Sequence, residues 1–201
     1  QQYSHGHPVF SPDDRWVIAW QHNMNELTLR AAADPRASRL SNRKEWFTST
    51  YPEGADRPQF TPDGSRMIFT RGGGNNSLIY SLCPDGTDYQ WIQSGRNAEL
   101  SPDGAHIAFT RGGKLCLMDS DGWNTRELTD ADDWRPQFSP DGTLLMFYTN
   151  NPPGMPAIYH LAGPRAGTVT PVPFVQSLAF RPDGKKAAYM KVEEPVPMTT
   201  R

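Results

Sequence analysis

Two histidines near the start of the chain, His5 and His7, have the spacing of a joint metal ligand pair. In an extended segment, side chains at positions i and i+2 point to the same side, so both imidazoles can reach one ion. The alternative is a pair of surface histidines in a loosely held N-terminal segment. His5 and His7 are therefore candidate metal ligands.

A second group of candidate residues stands at a fixed distance before a repeated motif. The motif is Phe or Leu followed by a near-copy of Ser-Pro-Asp-Gly, and its copies begin at Phe10, Phe60, Leu100, Phe138 and Phe180. Three residues upstream of the copies stand His7, Arg57, Asn97, Arg135 and Ser177.

The arginines of this group predict a ligand site. Guanidinium groups bind carboxylates through two parallel hydrogen bonds, so Arg57 and Arg135 suit an anionic or carbonyl-bearing ligand. Arg71 and Arg111 are expected further out, on the loops that follow. The alternative is structural: the arginines brace neighbouring repeats through carboxylates such as Asp56 and Asp133.

The spacing of the motif predicts the elements that position these residues. Successive copies are 50, 40, 38 and 42 residues apart. Within one unit, strands are predicted over 106–110, 114–118 and 125–129, separated by turns at Gly113 and Gly122. Four short antiparallel strands in each unit of about 40 residues are typical of a β-propeller blade. Pro and Gly inside every unit exclude helical repeats.

The repeats cover the chain as a single all-β domain, residues 1–201, with irregular ends. The unit after Phe180 is short of strands, with only Ala187–Met190 predicted. The chain is therefore either a five-bladed ring with a thin closing blade or part of a larger propeller. An open arc would expose strand edges, and it is expected to form homo-oligomers.

Composition excludes several classes of function. A net charge of −2 argues against nucleic-acid binding, and no stretch approaches the ~20 apolar residues of a membrane span. No Gly-x-Ser-x-Gly nucleophile elbow or phosphate loop is present. Cys83 and Cys116 are predicted to lie on neighbouring units, too far apart for a disulfide, and to remain free thiols.

The motif resembles the repeats of the TolB-like propellers. The resemblance covers essentially the whole chain and is strongest from Met118 to Thr129 and from Arg135 to Gly142. Members of that family usually have six or seven blades, which raises the expectation of a larger propeller. The resemblance also implies a periplasmic or secreted location.

The N-terminal segment Gln2-x-Ser-His5-x-His7-Pro, running on into the first motif, resembles a segment of the oligogalacturonate lyases. In that family the Gln and both His bind a divalent metal, typically manganese. The resemblance therefore implies Gln2, His5 and His7 as metal ligands. Among candidates for a fourth ligand, His22 is better placed than His106 or His160, which fall in predicted strands.

The leading hypothesis is a non-catalytic propeller that binds a protein partner or a small anionic or carbohydrate ligand at its funnel face. The first alternative is a metal-dependent lyase that acts by β-elimination on acidic oligosaccharides, with Arg57 or Arg135 neutralising carboxylates. A second alternative is a structural module of a larger assembly.

Overall fold

The computed structural model describes residues 9–21, 26–31, 56–72, 76–85, 87–130, 132–150, 153–172, 175–181 and 187–191. These residues form strands arranged in five antiparallel sheets that follow one another along the chain. Within each sheet, the strands lie side by side in chain order, so each sheet is a meander. The predicted all-β class is confirmed for this part of the chain.

In each sheet, the first strand ends at the Phe or Leu with which one copy of the motif begins. Sheet 1 contains β1 (Val9–Phe10), β2 (Trp16–Gln21) and β3 (Glu26–Ala31), and sheet 5 contains β16 (Val175–Phe180) and β17 (Ala187–Lys191). The three central sheets have four strands each. Sheet 2 is β4 (Asp56–Phe60), β5 (Met67–Arg71), β6 (Leu78–Leu82) and β7 (Gln90–Ser94).

Sheet 3 is β8 (Arg96–Leu100), β9 (His106–Arg111), β10 (Lys114–Asp119) and β11 (Arg126–Glu127); sheet 4 is β12 (Asp133–Phe138), β13 (Leu144–Asn150), β14 (Pro153–His160) and β15 (Val169–Pro171). The predicted strand order is confirmed. The fourth strand of sheet 3 is shorter than predicted, because only Cys116 and Leu117 pair with it.

The hydrophobic core lies between successive sheets. Side chains alternate between the two faces of a strand, so sheet 2 buries one face against sheet 1 and the other against sheet 3, and sheet 3 buries its faces against sheets 2 and 4. Phe69 packs against Ile18 of sheet 1, whereas Ile68 packs against Phe109 of sheet 3. Leu115 and Phe147 meet between sheets 3 and 4.

The first strands of the sheets lie next to one another. β1 contacts β4, β4 contacts β8, and β8 contacts β12, so four sheets radiate from a shared axis lined by their first strands. We call the two ends of this axis the Pro-Asp end, where the motif turns lie, and the funnel end, where the first strands begin. The described residues contain no helix that could span a membrane.

The motif turn is held by the same hydrogen bonds in four copies. In sheet 4, the Ser139 hydroxyl donates to Asp141 Oδ1 over 2.6 Å and accepts from the backbone N–H of Leu144 over 2.9 Å. Asp141 Oδ1 also accepts from the Thr143 N–H. Equivalent bonds join Ser11 to Asp13, Thr61 to Asp63 and Ser101 to Asp103.

These bonds change the acidity of the motif carboxyls. The Ser139 hydroxyl, followed by the Thr143 N–H, holds the pKa of Asp141 below its usual value. The same causes lower the pKa of Asp13, Asp63 and Asp103. The motif glycine supplies a positive φ, for example 73° at Gly104. The Pro-Asp end is therefore a repeated device in which a carboxylate organises each turn.

Candidate functional site

The first strands of sheets 2, 3 and 4 each carry a β-bulge at the funnel end, and the bulge contains the predicted site residue. The pairing register shifts between Asp56 and Gln59, between Arg96 and Glu99, and between Trp134 and Gln137. The bulge places the residue three positions before the motif in the left-handed region. These residues are Arg57, Asn97 and Arg135, with φ of 53°, 54° and 54°.

The left-handed conformation is unusual for two of these residues. Asn adopts it more readily than most residues, but arginine pays roughly 1–2 kcal/mol. Arg57 and Arg135 are also followed by proline, which favours extended conformations at the preceding residue. Strained backbone of this kind concentrates at functional sites. The geometry therefore singles out Arg57 and Arg135 more sharply than their sequence positions did.

The Arg57 guanidinium connects three sheets. Its Nη1 atom donates to the backbone carbonyl of Pro136 on β12 over 3.3 Å and lies 3.7 Å from Glu99 Oε2 on β8. Arg57 thus braces neighbouring sheets, as the structural alternative proposed, but the described ion pair is with Glu99. Asp133 is bonded elsewhere, and the side chain of Asp56 lies outside the described residues.

Glu99 occupies a position where the adjacent sheets carry glutamine. Gln59, one residue before its motif, donates from Nε2 to the Ala98 carbonyl over 3.0 Å and accepts from the Leu100 N–H over 2.8 Å. One amide thereby clamps β4 to β8. Glu99 has no N–H to donate toward β12, and the Arg57 guanidinium supplies the bond to the Pro136 carbonyl instead.

Burial makes Glu99 an unusually weak acid. Its side chain is 26% exposed, and burial raises its pKa to about 7, although the nearby Arg57 charge opposes the rise. A carboxyl with a pKa near neutrality can take up or release a proton under physiological conditions. We call Arg57 and Glu99 the axial pair. The axial pair brings a permanent positive charge and a titratable negative charge to the same point.

A second carboxyl with a raised pKa begins the first strand of sheet 4. Asp133, five residues before its motif, is fully buried and accepts a hydrogen bond from the Thr129 hydroxyl. Burial raises its pKa, and the hydroxyls of Thr129 and Thr149 offset part of that rise. Its backbone N–H donates to the Gly113 carbonyl, which ties sheet 4 to sheet 3.

Arg135 differs from Arg57 in exposure and in contacts. It is exposed, and its guanidinium makes no hydrogen bond or ion pair with the described part of the chain. It directly precedes Pro136, whose carbonyl Arg57 binds. Arg135 is thus an exposed residue at the funnel end, next in the chain to the Pro136 carbonyl that Arg57 binds.

Arg71 and Arg111 lie at the funnel end of the second strands, and their role in ligand binding stays a prediction. They are the last residues of β5 and β9, rather than loop residues as predicted. Arg71 hydrogen bonds with Tyr89, and the Arg111 guanidinium lies 5.7 Å from the centre of the Phe109 ring. The described contacts of both arginines therefore lie within their own sheets.

The predicted metal ligands Gln2, His5 and His7, and the candidate fourth ligand His22, lie outside the described residues. His106 starts β9 at the Pro-Asp end, where it lies 3.7 Å from Asp119, and His160 on β14 bonds Thr170. No group of three or more His, Cys, Asp or Glu residues in the described part of the chain could hold a metal ion.

The Pro-Asp end of the axis holds a cavity of different character. Its volume is about 380 Å³, and its lining is mostly apolar, formed by Val9, Phe10, Pro12, Gln59, Phe60, Pro62, Leu100, Ser101 and Pro102. None of these side chains is charged. An anionic ligand is therefore expected at the funnel end and not in this cavity.

Two residues of the site were not singled out by the sequence: Glu99 and Asp133. Glu99 could have been found from the substitution of Glu for Gln one residue before the motif, because Gln59 and Gln137 match each other there. Asp133 was considered only as a partner for arginine.

The free thiols are confirmed: Cys83 is half-buried and Cys116 buried.

No family model and no curated protein matches the chain. Solved structures do resemble its fold. A putative TolB from Agrobacterium tumefaciens is 18% identical with a TM-score of 0.64, and the match covers 98% of this chain and 73% of that one.

An oligogalacturonate lyase from Vibrio parahaemolyticus is 12% identical with a TM-score of 0.61, over 96% of this chain and 59% of that one. A chain of a nidogen/laminin complex is 14% identical with a TM-score of 0.63, over 92% of this chain and 70% of that one. Likeness at these identities shows the fold, which is of the β-propeller type. The chain spans about three fifths of the length of the lyase.

Proposed function

We propose that the protein binds a small anionic ligand, or a partner that presents a carboxylate, at the funnel end of its axis, and that it catalyses no reaction there. The observation that carries this proposal is the pair of left-handed arginines. Arg57 and Arg135 occupy equivalent bulges on β4 and β12, and the Arg135 guanidinium is exposed.

The chemistry of the group favours a carboxylate. A guanidinium offers N–H donors in a planar fork that matches both oxygens of a carboxylate. Asn97 lies between the two arginines in sheet order and adds an amide that can bond hydroxyl or carbonyl groups. An acidic sugar carries both kinds of group, so it is the ligand class that fits best.

Replacement of Arg135 by Asn tests the proposal. Asn is the residue of the equivalent bulge in sheet 3, so R135N removes the guanidinium without disturbing the left-handed backbone. We expect the affinity for D-galacturonate, measured by calorimetry, to fall about tenfold or more, as it does when a charge-assisted hydrogen bond is lost. The control R165N removes an exposed arginine from the turn between β14 and β15.

Two results would contradict the proposal. One is equal affinity of R135N and the unchanged protein for galacturonate. The other is binding of the neutral sugar D-galactose as tightly as galacturonate, because a guanidinium site must discriminate by charge.

The alternative is β-elimination at the same site. It is favoured by the axial pair and by the likeness to an oligogalacturonate lyase. The Glu99 carboxylate would remove the C5 proton of a uronate, the electron pair would form the C4–C5 double bond, and the C4 oxygen would leave. Arg57 or Arg135 would hold the carboxylate of the sugar.

Substitution E99Q separates the two functions. A lyase must lose formation of the unsaturated uronate, measured by its ultraviolet absorbance, whereas a binding protein still binds galacturonate. The metal proposed at Gln2, His5 and His7 is tested by elemental analysis of the purified protein against the double variant H5A/H7A. Stoichiometric metal that disappears in the variant would favour the lyase.

A role in a larger assembly is favoured by one further observation. The motif residues of sheets 3 and 4 pack against the preceding sheet: Leu100 and Phe138 are each 7% exposed, but Phe10 of sheet 1 is 58% exposed. The leading face of sheet 1 is thus uncovered by the described residues. A molar mass above that of one chain in light scattering would support an assembly, and a monomer would oppose it.

A further inference from the structure

The axial pair places a competitor for the proposed ligand inside the ligand site. The Arg57 guanidinium is shared between the Glu99 carboxylate, 3.7 Å away, and the Pro136 carbonyl, 3.3 Å away. An incoming carboxylate that binds Nη1 of Arg57 would compete there with Glu99 and with the Pro136 carbonyl. A bound anion and an ionised Glu99 would also repel each other across this short distance.

Both members of the pair are reachable from solvent. The side chain of Arg57 is 30% exposed and that of Glu99 is 26% exposed. A ligand can therefore contact Arg57 without opening the core. When Glu99 is ionised, the pair has no net charge and contributes no net attraction for an anion beside Arg135. When Glu99 is neutral, Arg57 and Arg135 together present two positive charges.

We propose that an anion binds at the funnel end together with one proton, which neutralises Glu99 and frees Arg57 for the ligand. This inference rests on the function proposed above, because it describes how that site is regulated. Glu99 is then the residue that couples affinity to pH. Burial prepares it for this role by raising its pKa to about 7.

Other charged groups lie around β8, but none of them has a resolved effect on the pKa of Glu99. Arg57 on β4 is the one charged group with a resolved effect on the Glu99 carboxyl. In the described part of the chain, the titratable or charged side chains on β8 itself and on the other elements packed against it are Arg96 on β8, Arg71 on β5, Tyr80 on β6, His106 and Arg111 on β9, and Asp133 and Arg135 on β12. Asp133 is bonded to Thr129, and His106 lies at the opposite end of the axis.

The test compares binding at two pH values in the unchanged protein and in E99Q. The probes are D-galacturonate and sulfate, whose charges stay constant over the range used. With one linked proton, we expect affinity to be about tenfold higher at about pH 6 than at about pH 8. In E99Q, which carries a permanently neutral side chain at this position, the affinity should be high at both pH values.

Control E127Q replaces a glutamate on the outer strand β11 that pairs with Lys114, and it should keep the full pH dependence. A second readout needs no ligand. The carboxyl carbon of Glu99, assigned in a nuclear magnetic resonance spectrum by its absence in E99Q, should titrate near neutral pH. Its titration midpoint should be higher when galacturonate is bound than when the protein is free.

The outcomes separate this inference from the proposed function. Absence of binding to either probe at both pH values would overturn the proposed function and this inference with it. Binding that does not change with pH, or whose pH dependence survives in E99Q, would overturn the inference alone. Titration of Glu99 at the usual pKa of a glutamate would do the same.

Discussion

The two ends of the first strands shift the pKa values of their carboxyl groups in opposite directions. At the Pro-Asp end, Asp103 and Asp141 accept bonds from a hydroxyl and a backbone N–H, and their pKa values are lowered. At the funnel end, burial is the largest influence on Glu99 and Asp133, and it raises their pKa values. One end uses negative charge to hold the fold, whereas the other retains carboxyls whose ionisation is unfavourable.

The difference shows which positions of the repeat are interchangeable. At the Pro-Asp end, four copies make the same bonds, so a residue moved from one sheet to another should be tolerated. At the funnel end, the equivalent positions differ: they hold Gly95 and Asp133 five residues before the motif, and Gln59 and Glu99 one residue before it. Exchange of residues between sheets therefore tests the comparison directly.

The largest effect is expected from G95A, which brings the Ala of the equivalent position in sheet 2 into sheet 3. A Cβ at Gly95 would lie 2.4 Å from Cδ2 of the buried Phe109 ring, and the φ of 155° is itself unfavourable for alanine. We expect a loss of about 3 kcal/mol or more in the free energy of unfolding, measured with denaturant.

The matched control for this substitution is G154A. Gly154 also has a positive φ, of 73°, but no atom lies within 4 Å of a Cβ built there. Its cost should be about 1 kcal/mol, the backbone contribution alone. Equal costs for the two variants would show that the contact with Phe109 does not restrict the funnel end.

An intermediate effect is expected from S139A at the Pro-Asp end. Ser139 is fully buried, and its loss leaves the Leu144 N–H without the hydroxyl and Asp141 without its first donor. The free energy of unfolding should fall by about 1–2 kcal/mol. In contrast, S139T introduces the residue of sheet 2, where Thr61 makes the same bonds, and should cost less than S139A.

If S139T destabilised the protein as much as S139A, the four motif turns would not be equivalent. Measurement of both variants by thermal and denaturant unfolding decides between these outcomes.

The smallest effect is the pH dependence of stability, and its sign differs between the two ends. Glu99 has a raised pKa in the folded state, so it binds its proton more tightly there than in the unfolded chain. Its contribution to stability is therefore full below about pH 4.5 and is lost as the pH rises toward about 7. The motif aspartates, with lowered pKa values, contribute above their unfolded pKa and lose that contribution in acid.

E99Q should remove the loss of stability that the ionisation of Glu99 causes as the pH rises. We expect E99Q to exceed the unchanged protein by about 1 kcal/mol in unfolding free energy at pH 8, and by little at pH 5. If E99Q and the unchanged protein differed more in unfolding free energy at pH 5 than at pH 8, the pKa of Glu99 would not be raised in the folded protein.

Much of the fold could be predicted from the sequence, because the motif turn is a local structure. Pro and Gly at fixed offsets determine the turn, and alternating residues determine the strands that flank it. The strand over 106–110 is confirmed as β9, and that over 114–118 as β10. Only the weakly paired fourth strand, β11, was overestimated.

The site was less predictable, because it depends on the conformation of single residues. Arginine rarely adopts a positive φ, so the residue types of Arg57 and Arg135 did not predict a bulge. Asn97 at the equivalent position was a weak signal, because asparagine tolerates a positive φ. The acidity of Glu99 depends on burial between sheets and on Arg57, which is distant in sequence. The ligand assignments, including Gln2, His5 and His7, stay predictions.

The amide clamp of Gln59 has a consequence for how such a chain can acquire a new property. Codons for glutamine and glutamate differ by one base, so a duplicated unit can exchange its clamp for an ionisable group in one mutational step. The neighbouring units keep their glutamines, and the arginine of an adjacent unit supplies the missing donor. Gene duplication can thus provide several copies of the glutamine that links adjacent first strands. One copy can become a proton-binding glutamate while the others keep the strands together.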